Sequence, residues 1–131
     1  MKNTPKIVIT VGDEAGVGPE IILKALASKE IPKQINILIV GNKKNLISKY
    51  LFLKSLGIKK IVDPNKLKIE DLKISTTSVK EPSNSTGNAS FLYLKHAIEI
   101  VKKTSNSALV TSPICKKLWN SAGHHYSGQT E

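Results

Sequence analysis

Val11-Gly12-Asp13-Glu14-Ala15-Gly16-Val17-Gly18-Pro19-Glu20 joins an apolar run, Ile7-Val8-Ile9, to a helical pattern, Ile21-Ile22-Leu23-Lys24-Ala25-Leu26. A strand that stops in a glycine-rich turn and re-emerges as a helix brings bare backbone close to whatever lies there. Pro19 suits the first helical position, where its missing N–H is not needed, and Glu20 complements the positive helix end. Glycine here serves either the tight geometry of the turn or the approach of a bound group. The spacing fits neither common nucleotide motif. A P-loop needs Gly-Lys-Ser/Thr, which is absent, and a dinucleotide fingerprint needs glycine where Ile21 stands.

From that turn outward the pattern alternates strand and helix. Ile7–Val11 reads as the first strand and Pro19–Ser28 as the first helix. Ile35–Val40 is the second strand, ended by Gly41-Asn42. A helix over Lys43–Leu56 follows, with Leu46, Tyr50 and Leu53 on one face and Gly57 as its stop. Ile58–Val62 reads as a short third strand closed by Asp63-Pro64. Residues 65–86 are ambiguous, with Leu72–Thr76 a candidate strand and Glu81–Gly87 a loop. The longest helix runs over Asn88–Lys103, with Phe91, Leu94, Ile98 and Val101 as its core-facing stripe. Ser107–Thr111 is a buried strand, and Pro113 opens a last short helix to Ala122. Such alternation predicts an α/β fold with a largely parallel sheet.

The far end is the second informative stretch. After Ser112-Pro113-Ile114-Cys115-Lys116-Lys117 comes a polar, aromatic run, Gly123-His124-His125-Tyr126-Ser127-Gly128-Gln129-Thr130-Glu131. Loops that follow strands in α/β proteins collect binding groups, and here the chain stops within one. The expectation is a piece of a larger protein.

Composition narrows the partners. All 20 basic residues are lysine, giving a net charge of +10. Without arginine forks, and with only 5% aromatic residues, the chain lacks the usual tools of nucleic-acid recognition. The scattered lysines predict a solvated basic surface that attracts an anionic metabolite. No apolar run reaches membrane-span length, Met1–Lys6 holds no secretory signal, and the lone Cys115 permits no internal disulfide; the expected location is cytoplasmic.

Few residues present themselves as chemical groups. Cys115 stands near a helix start, where a thiol is sometimes activated, but without an evident base it reads as structural. Lys116 and Lys117 read as solvated helix charges, with reach toward an anion in the same cleft. Gln129 and Thr130 offer an amide and a hydroxyl suited to a phosphate or carboxylate. His96 reads as a surface or packing residue. The adjacent His124 and His125 point apart on an extended segment, and no zinc-type ligand spacing exists.

Thr10–Glu20, together with Val110-Thr111-Ser112-Pro113-Ile114-Cys115-Lys116-Lys117 and Ala122–Glu131, resembles the 4-hydroxythreonine-4-phosphate dehydrogenase (PdxA) family. The first motif alone is also similar to isocitrate and isopropylmalate dehydrogenases, whose fold the resemblance implies. It makes residues 1–131 an N-terminal part, truncated before the rest. It further implies NAD- or NADP-dependent oxidation of 4-phosphooxy-threonine, then decarboxylation, in pyridoxal phosphate synthesis by a homodimer with a divalent metal. Gln129 and Thr130 match the family's substrate-contacting His and Thr. No catalytic residue, cofactor contact or metal ligand is assigned within the chain, because the family's metal-binding histidines and most nicotinamide contacts lie further on. Cofactor and metal are therefore expected to bind this stretch poorly, and the stretch alone to be inactive. Two departures stand out. Gln129 replaces a histidine and cannot carry charge, and Glu14 replaces a proline, which is expected to loosen the turn. The alternatives are a stand-alone domain binding a phosphorylated metabolite at Gly12–Gly18, or one half of a split protein.

Overall fold

The computed structural model describes residues 4–76 and 78–131. The leader reading of Met1–Asn3 lies outside the described residues, as does Thr77 in the ambiguous stretch. Four strands, β1 (Lys6–Thr10), β2 (Asn36–Gly41), β3 (Lys68–Asp71) and β4 (Ser107–Val110), form one sheet in the order β3-β2-β1-β4. Every neighbouring pair is parallel. The helices are α1 (Gly18–Ala25), α2 (Lys43–Ser55), α3 (Asn84–Lys103) and α4 (Lys116–Ser121). The first two crossovers step one way along the sheet, and the third returns past β1. Right-handed crossovers therefore place α1 and α2 on one face and α3 on the other. The α/β expectation with a parallel sheet holds.

The register explains the core. Val8 pairs with Leu38 and Leu109, and Thr10 with Val40, so these side chains share one face. Glu70 lies on that face through its pairing with Val40, and His96 of α3 meets it at 2.8 Å. On the opposite face Ile39 is fully buried, while Ala108 and Val110 of β4 remain exposed. Among the described residues no strand covers the outer edge of β4.

Helix limits follow local chemistry. In α2, Leu46 and Leu53 are buried, and Tyr50 packs against the core as the spacing predicts. Its N-cap is Asn42, whose side chain accepts from the Asn45 N–H at 3.2 Å, and Gly57, at φ +83°, follows its end. Helix α1 is shorter than expected, ending at Ala25 in turns that run to Ser28. Helix α3 begins four residues before the expected Asn88. Ser83 and Thr86 form a capping box, each side chain accepting from the other residue's N–H, at 3.2 and 2.9 Å. Threonine in place of the usual Glu or Gln hides this box in the sequence. Helix α4 starts at Lys116 rather than Pro113, because the Pro113 carbonyl is held by the Asp13 N–H.

Three expectations about the core and strands are corrected. Ile58–Val62 is not a strand: Val62 N–H binds the Leu23 carbonyl, and Ile58, Ile61 and Val62 pack against the core as a connector. Leu72–Thr76 is not a strand either; the third strand is Lys68–Asp71, entered through a 3-10 turn at Pro64–Lys66. On α3 the buried face is Thr86, Ala89, Ser90, Tyr93, Leu94 and Ala97, so the true stripe is rotated from the expected one. Of the predicted set, Leu94 is buried, Phe91 and Val101 are half-buried, and Ile98 is exposed. The largest aliphatic side chains drew the sequence reading, whereas small residues let α3 approach the sheet.

Candidate functional site

The strand order places a topological switch between β1 and β4. The chain leaves β1 toward α1 and leaves β4 toward α4, and helices depart to opposite faces. In open parallel sheets the crevice outside the carboxyl ends of such a pair is the usual ligand site. Both informative stretches of sequence lie there.

They are also in direct contact. A methyl group on Gly12, at φ +71°, would overlap the carbonyl oxygen of Pro113, and one on Gly18 would overlap that of Val11 and sit 3.0 Å from Ser112 Cβ. What approaches the bare backbone is thus the protein's own loop after β4. Three of the turn's N–H groups are engaged within the protein as well. Asp13 N–H binds Pro113 O at 3.1 Å, Gly16 N–H binds Asp13 O at 2.9 Å, and Ala15 N–H binds Asp13 Oδ1 at 2.9 Å.

Two buried carboxylates fasten the turn. Asp13, 3% exposed, accepts through Oδ2 from Thr86 Oγ1 at 3.1 Å and so ties the turn to the first residues of α3. Glu14, 2% exposed, accepts through Oε1 from Tyr93 Oη at 2.7 Å and Asn45 Nδ2 at 3.0 Å. Its Oε2 has no hydrogen-bond partner among the described residues. Burial pushes the Glu14 carboxyl above its ordinary range, against the pull of the Tyr93 and Asn45 donors, and the neighbouring Asp13 charge adds to the rise. Burial, and then the Glu14 charge, push Tyr93 up, so its phenol stays a donor. Glu14 therefore clamps the turn between α2 and α3 and does not loosen it. Sequence reasoning missed Asp13 and Tyr93 and misread Glu14; the adjacent acids beside the glycines were the available signal.

The C-terminal stretch returns to the same crevice. Gln129 Nε2 donates to Ser112 O at 3.2 Å, and Ser112 is the residue that packs on Gly18. A carbonyl only accepts, so the amide's NH2 faces Ser112 and its Oε1 is left buried without a partner. Thr130 is exposed beside it. His124 Nε2 meets Asn88 Oδ1 at 2.7 Å, and its ring stacks on Phe91, with centroids 3.8 Å apart. His125 is exposed, and His96 is paired with Glu70. Cys115 is a half-buried free thiol at the α4 N-cap, and Lys116 and Lys117 are exposed. Among the described residues no group of three or more His, Cys, Asp or Glu side chains could hold a metal ion. No helix among them is long and apolar enough to cross a membrane.

Comparison with known proteins agrees with this geometry. The family model for the pyridoxal phosphate biosynthetic protein PdxA matches residues 33–131. A 4-hydroxythreonine-4-phosphate dehydrogenase from Nostoc is 39% identical over 99% of this chain and 38% of its own length. A relative from Oceanobacillus iheyensis, named provisionally as a D-threonate 4-phosphate dehydrogenase, is 36% identical over the whole chain and 43% of its own length. The crystal structure of a 4-hydroxythreonine-4-phosphate dehydrogenase from Burkholderia phymatum superposes with a TM-score of 0.82 at 27% identity, over 97% of this chain and 42% of that one. The chain thus spans about two-fifths of the length of these relatives, 38% in the first case. Over that span, from the glycine turn to the Gln129–Thr130 loop, the chain belongs to the PdxA family of pyridoxal phosphate biosynthetic proteins.

Proposed function

We propose that this chain is the N-terminal part of a dehydrogenase that oxidises 4-phosphooxy-threonine and supplies Gln129 and Thr130 to its substrate. The observation that carries the reading is the Gln129–Ser112 hydrogen bond, which brings the C-terminal loop to the β1–β4 crevice beside the glycine turn. In this reading a nicotinamide cofactor held by the rest of the protein would supply the hydride acceptor for oxidation of the substrate's hydroxyl carbon to a ketone, the hydroxyl proton passing to solvent, with loss of carbon dioxide from the β-keto acid following. Gln129 orients; it cannot shuttle a proton. One N–H of its NH2 group is held by Ser112, and the second remains a donor for a phosphate or carboxylate oxygen of the substrate. The Thr130 hydroxyl, exposed at the rim, is likewise a donor for a phosphate or carboxylate oxygen.

The family's divalent metal does not fit the described residues, which hold no group of three or more His, Cys, Asp or Glu side chains that could bind it. The nicotinamide cofactor has no assigned contact in this stretch either, where the turn's Asp13, Ala15 and Gly16 N–H groups are taken by the protein itself. Both would rest on the remainder of a protein of the relatives' length, as a cytoplasmic homodimer. The test is Thr130→Ala in a protein of that length carrying this segment. Loss of one hydrogen bond to a charged oxygen raises KM for 4-phosphooxy-threonine about tenfold, with kcat largely kept. An unchanged KM removes Thr130 from the site.

A further inference from the structure

The segment that carries Gln129 and Thr130 has little backbone support. After α4 its backbone hydrogen bonds are local: His124 N–H to Trp119 O at 2.8 Å, Tyr126 N–H to His124 O at 3.3 Å and Glu131 N–H to Gly128 O at 3.4 Å. Among the described residues, none ties residues 124–131 to the sheet or to α3. Side chains must hold the segment in place.

The platform for them is Phe91 on α3. Its ring stands edge-on to Trp119, with centroids 5.3 Å apart and an interplanar angle of 87°. Trp119 is itself fixed, 1% exposed and donating through Nε1 to Ser90 Oγ at 2.8 Å. On Phe91 the His124 imidazole lies almost parallel, at 3.8 Å and 8°. Asn88 Oδ1 can only accept, so His124 Nε2–H donates to it, which sets both the tautomer and the ring's rotation. The Tyr126 ring continues the stack at 5.7 Å and 20°. Three residues on, Gln129 reaches Ser112.

We propose that His124 is a positioning residue for Gln129 and Thr130, acting through its stack on Phe91 and its hydrogen bond to Asn88. The inference rests on the reading that Gln129 and Thr130 meet the substrate, but the contact it predicts is independent of any ligand. It also gives the adjacent histidines different roles: His124 turns onto α3 while His125 remains in solvent. Without His124, the loop keeps its local turns and the wider Tyr126 contact but loses its closest stack on α3 and the bond to Asn88, and the Gln129 amide leaves Ser112.

The experiment is nuclear magnetic resonance of the 15N-labelled chain, reading the Gln129 side-chain NH2 pair and the exchange of amides 125–129. Wild type should show the two Gln129 protons well separated, one shifted by its bond to Ser112. His124→Ala should collapse that pair to free-glutamine positions and speed loop exchange about tenfold, since a stack and a hydrogen bond are each worth a factor of several. His124→Phe, which keeps the stack, should restore the pair in part. Asn88→Ala removes only the hydrogen bond and should loosen the loop less than His124→Ala. In every variant the Trp119 indole N–H and the Tyr93 and Ala97 amides should stay as in wild type. The proposal fails if Gln129 is unmoved in both His124→Ala and Asn88→Ala. It also fails if the Gln129 pair is lost only together with the Tyr93 and Ala97 protection, which would make His124 a general packing residue. Failure of Thr130→Ala to change KM leaves these resonances untouched, so the two readings are tested separately.

Discussion

Removing the Tyr93 hydroxyl tests the clamp on the glycine turn. Tyr93 is fully buried and gives its only described hydrogen bond, 2.7 Å long, to Glu14 Oε1. Tyr93→Phe leaves Oε1 with the Asn45 amide at 3.0 Å. While Glu14 is ionised, a buried hydrogen bond to charge is lost, at a cost of about 1.5–3 kcal/mol. When Glu14 is protonated, the bond is neutral and its loss costs about 0.5–1.5 kcal/mol. Glu14's carboxyl is raised by burial, so its protonated form persists in the folded chain above the unfolded value of 4.5. The sign follows: its contribution is fully present below 4.5 and is lost as pH rises through the folded value. The penalty of Tyr93→Phe should therefore grow by about 1 kcal/mol from below pH 4.5 to above the folded Glu14 value. In a Glu14→Gln background it should stay near the neutral figure at every pH. Urea unfolding followed by Trp119 fluorescence, over a pH series with all four proteins, gives the cycle. Equal penalties on both sides of the Glu14 titration seen in the wild-type pH series, or an undiminished rise with pH in the Glu14→Gln background, would refute the role assigned to the pair.

Glu14→Gln alone should flatten the decline of stability with rising pH, read in the same titration. Gly12→Ala forces a left-handed residue, costing about 1–2 kcal/mol, and also displaces Pro113 O, whereas Gly57→Ala meets nothing within 4 Å and should show only the backbone cost. Comparing the two unfolding midpoints isolates the contact between the motifs. Ser90→Ala should cost about 1–3 kcal/mol by stranding the buried Trp119 N–H, and the indole proton should lose its hydrogen-bonded shift. Asn42→Ala removes the α2 N-cap and a 3.1 Å bond to the Ile74 carbonyl; unfolding should show a loss of about 1–2 kcal/mol.

The elements legible in the sequence are those whose local signals agree with the tertiary structure. Pro19 at a helix start, Asn42 ahead of Lys43 and the uninterrupted Ile37-Leu38-Ile39-Val40 run needed no partner to be recognised. Ile58–Val62 misled because a buried connector and a buried strand share the same apolar composition, and only the bond from Val62 to Leu23 separates them. The α3 stripe misled for the opposite reason: Ala89, Ser90 and Ala97 are buried because they are small. Gln129 and Thr130 stand out in the sequence through family resemblance and through their amide and hydroxyl. Glu14 was misjudged because its donors lie 31 and 79 residues away, and no local pattern announces them.

The parallel pairing of Lys6 with Ser107 bears on how the crevice comes into being. β1 leaves its place beside β2 open on one flank until the chain returns roughly a hundred residues later, a costly closure that makes the β1–β4 ladder a late event. During synthesis the glycine turn is made early, yet the surface against which Gly12 and Gly18 fit is among the last parts to emerge. Until Ser112 and Pro113 arrive, those glycines are merely a flexible gap. The crevice is therefore a product of completed topology, and a chain ending before β4 would carry the first motif without its floor.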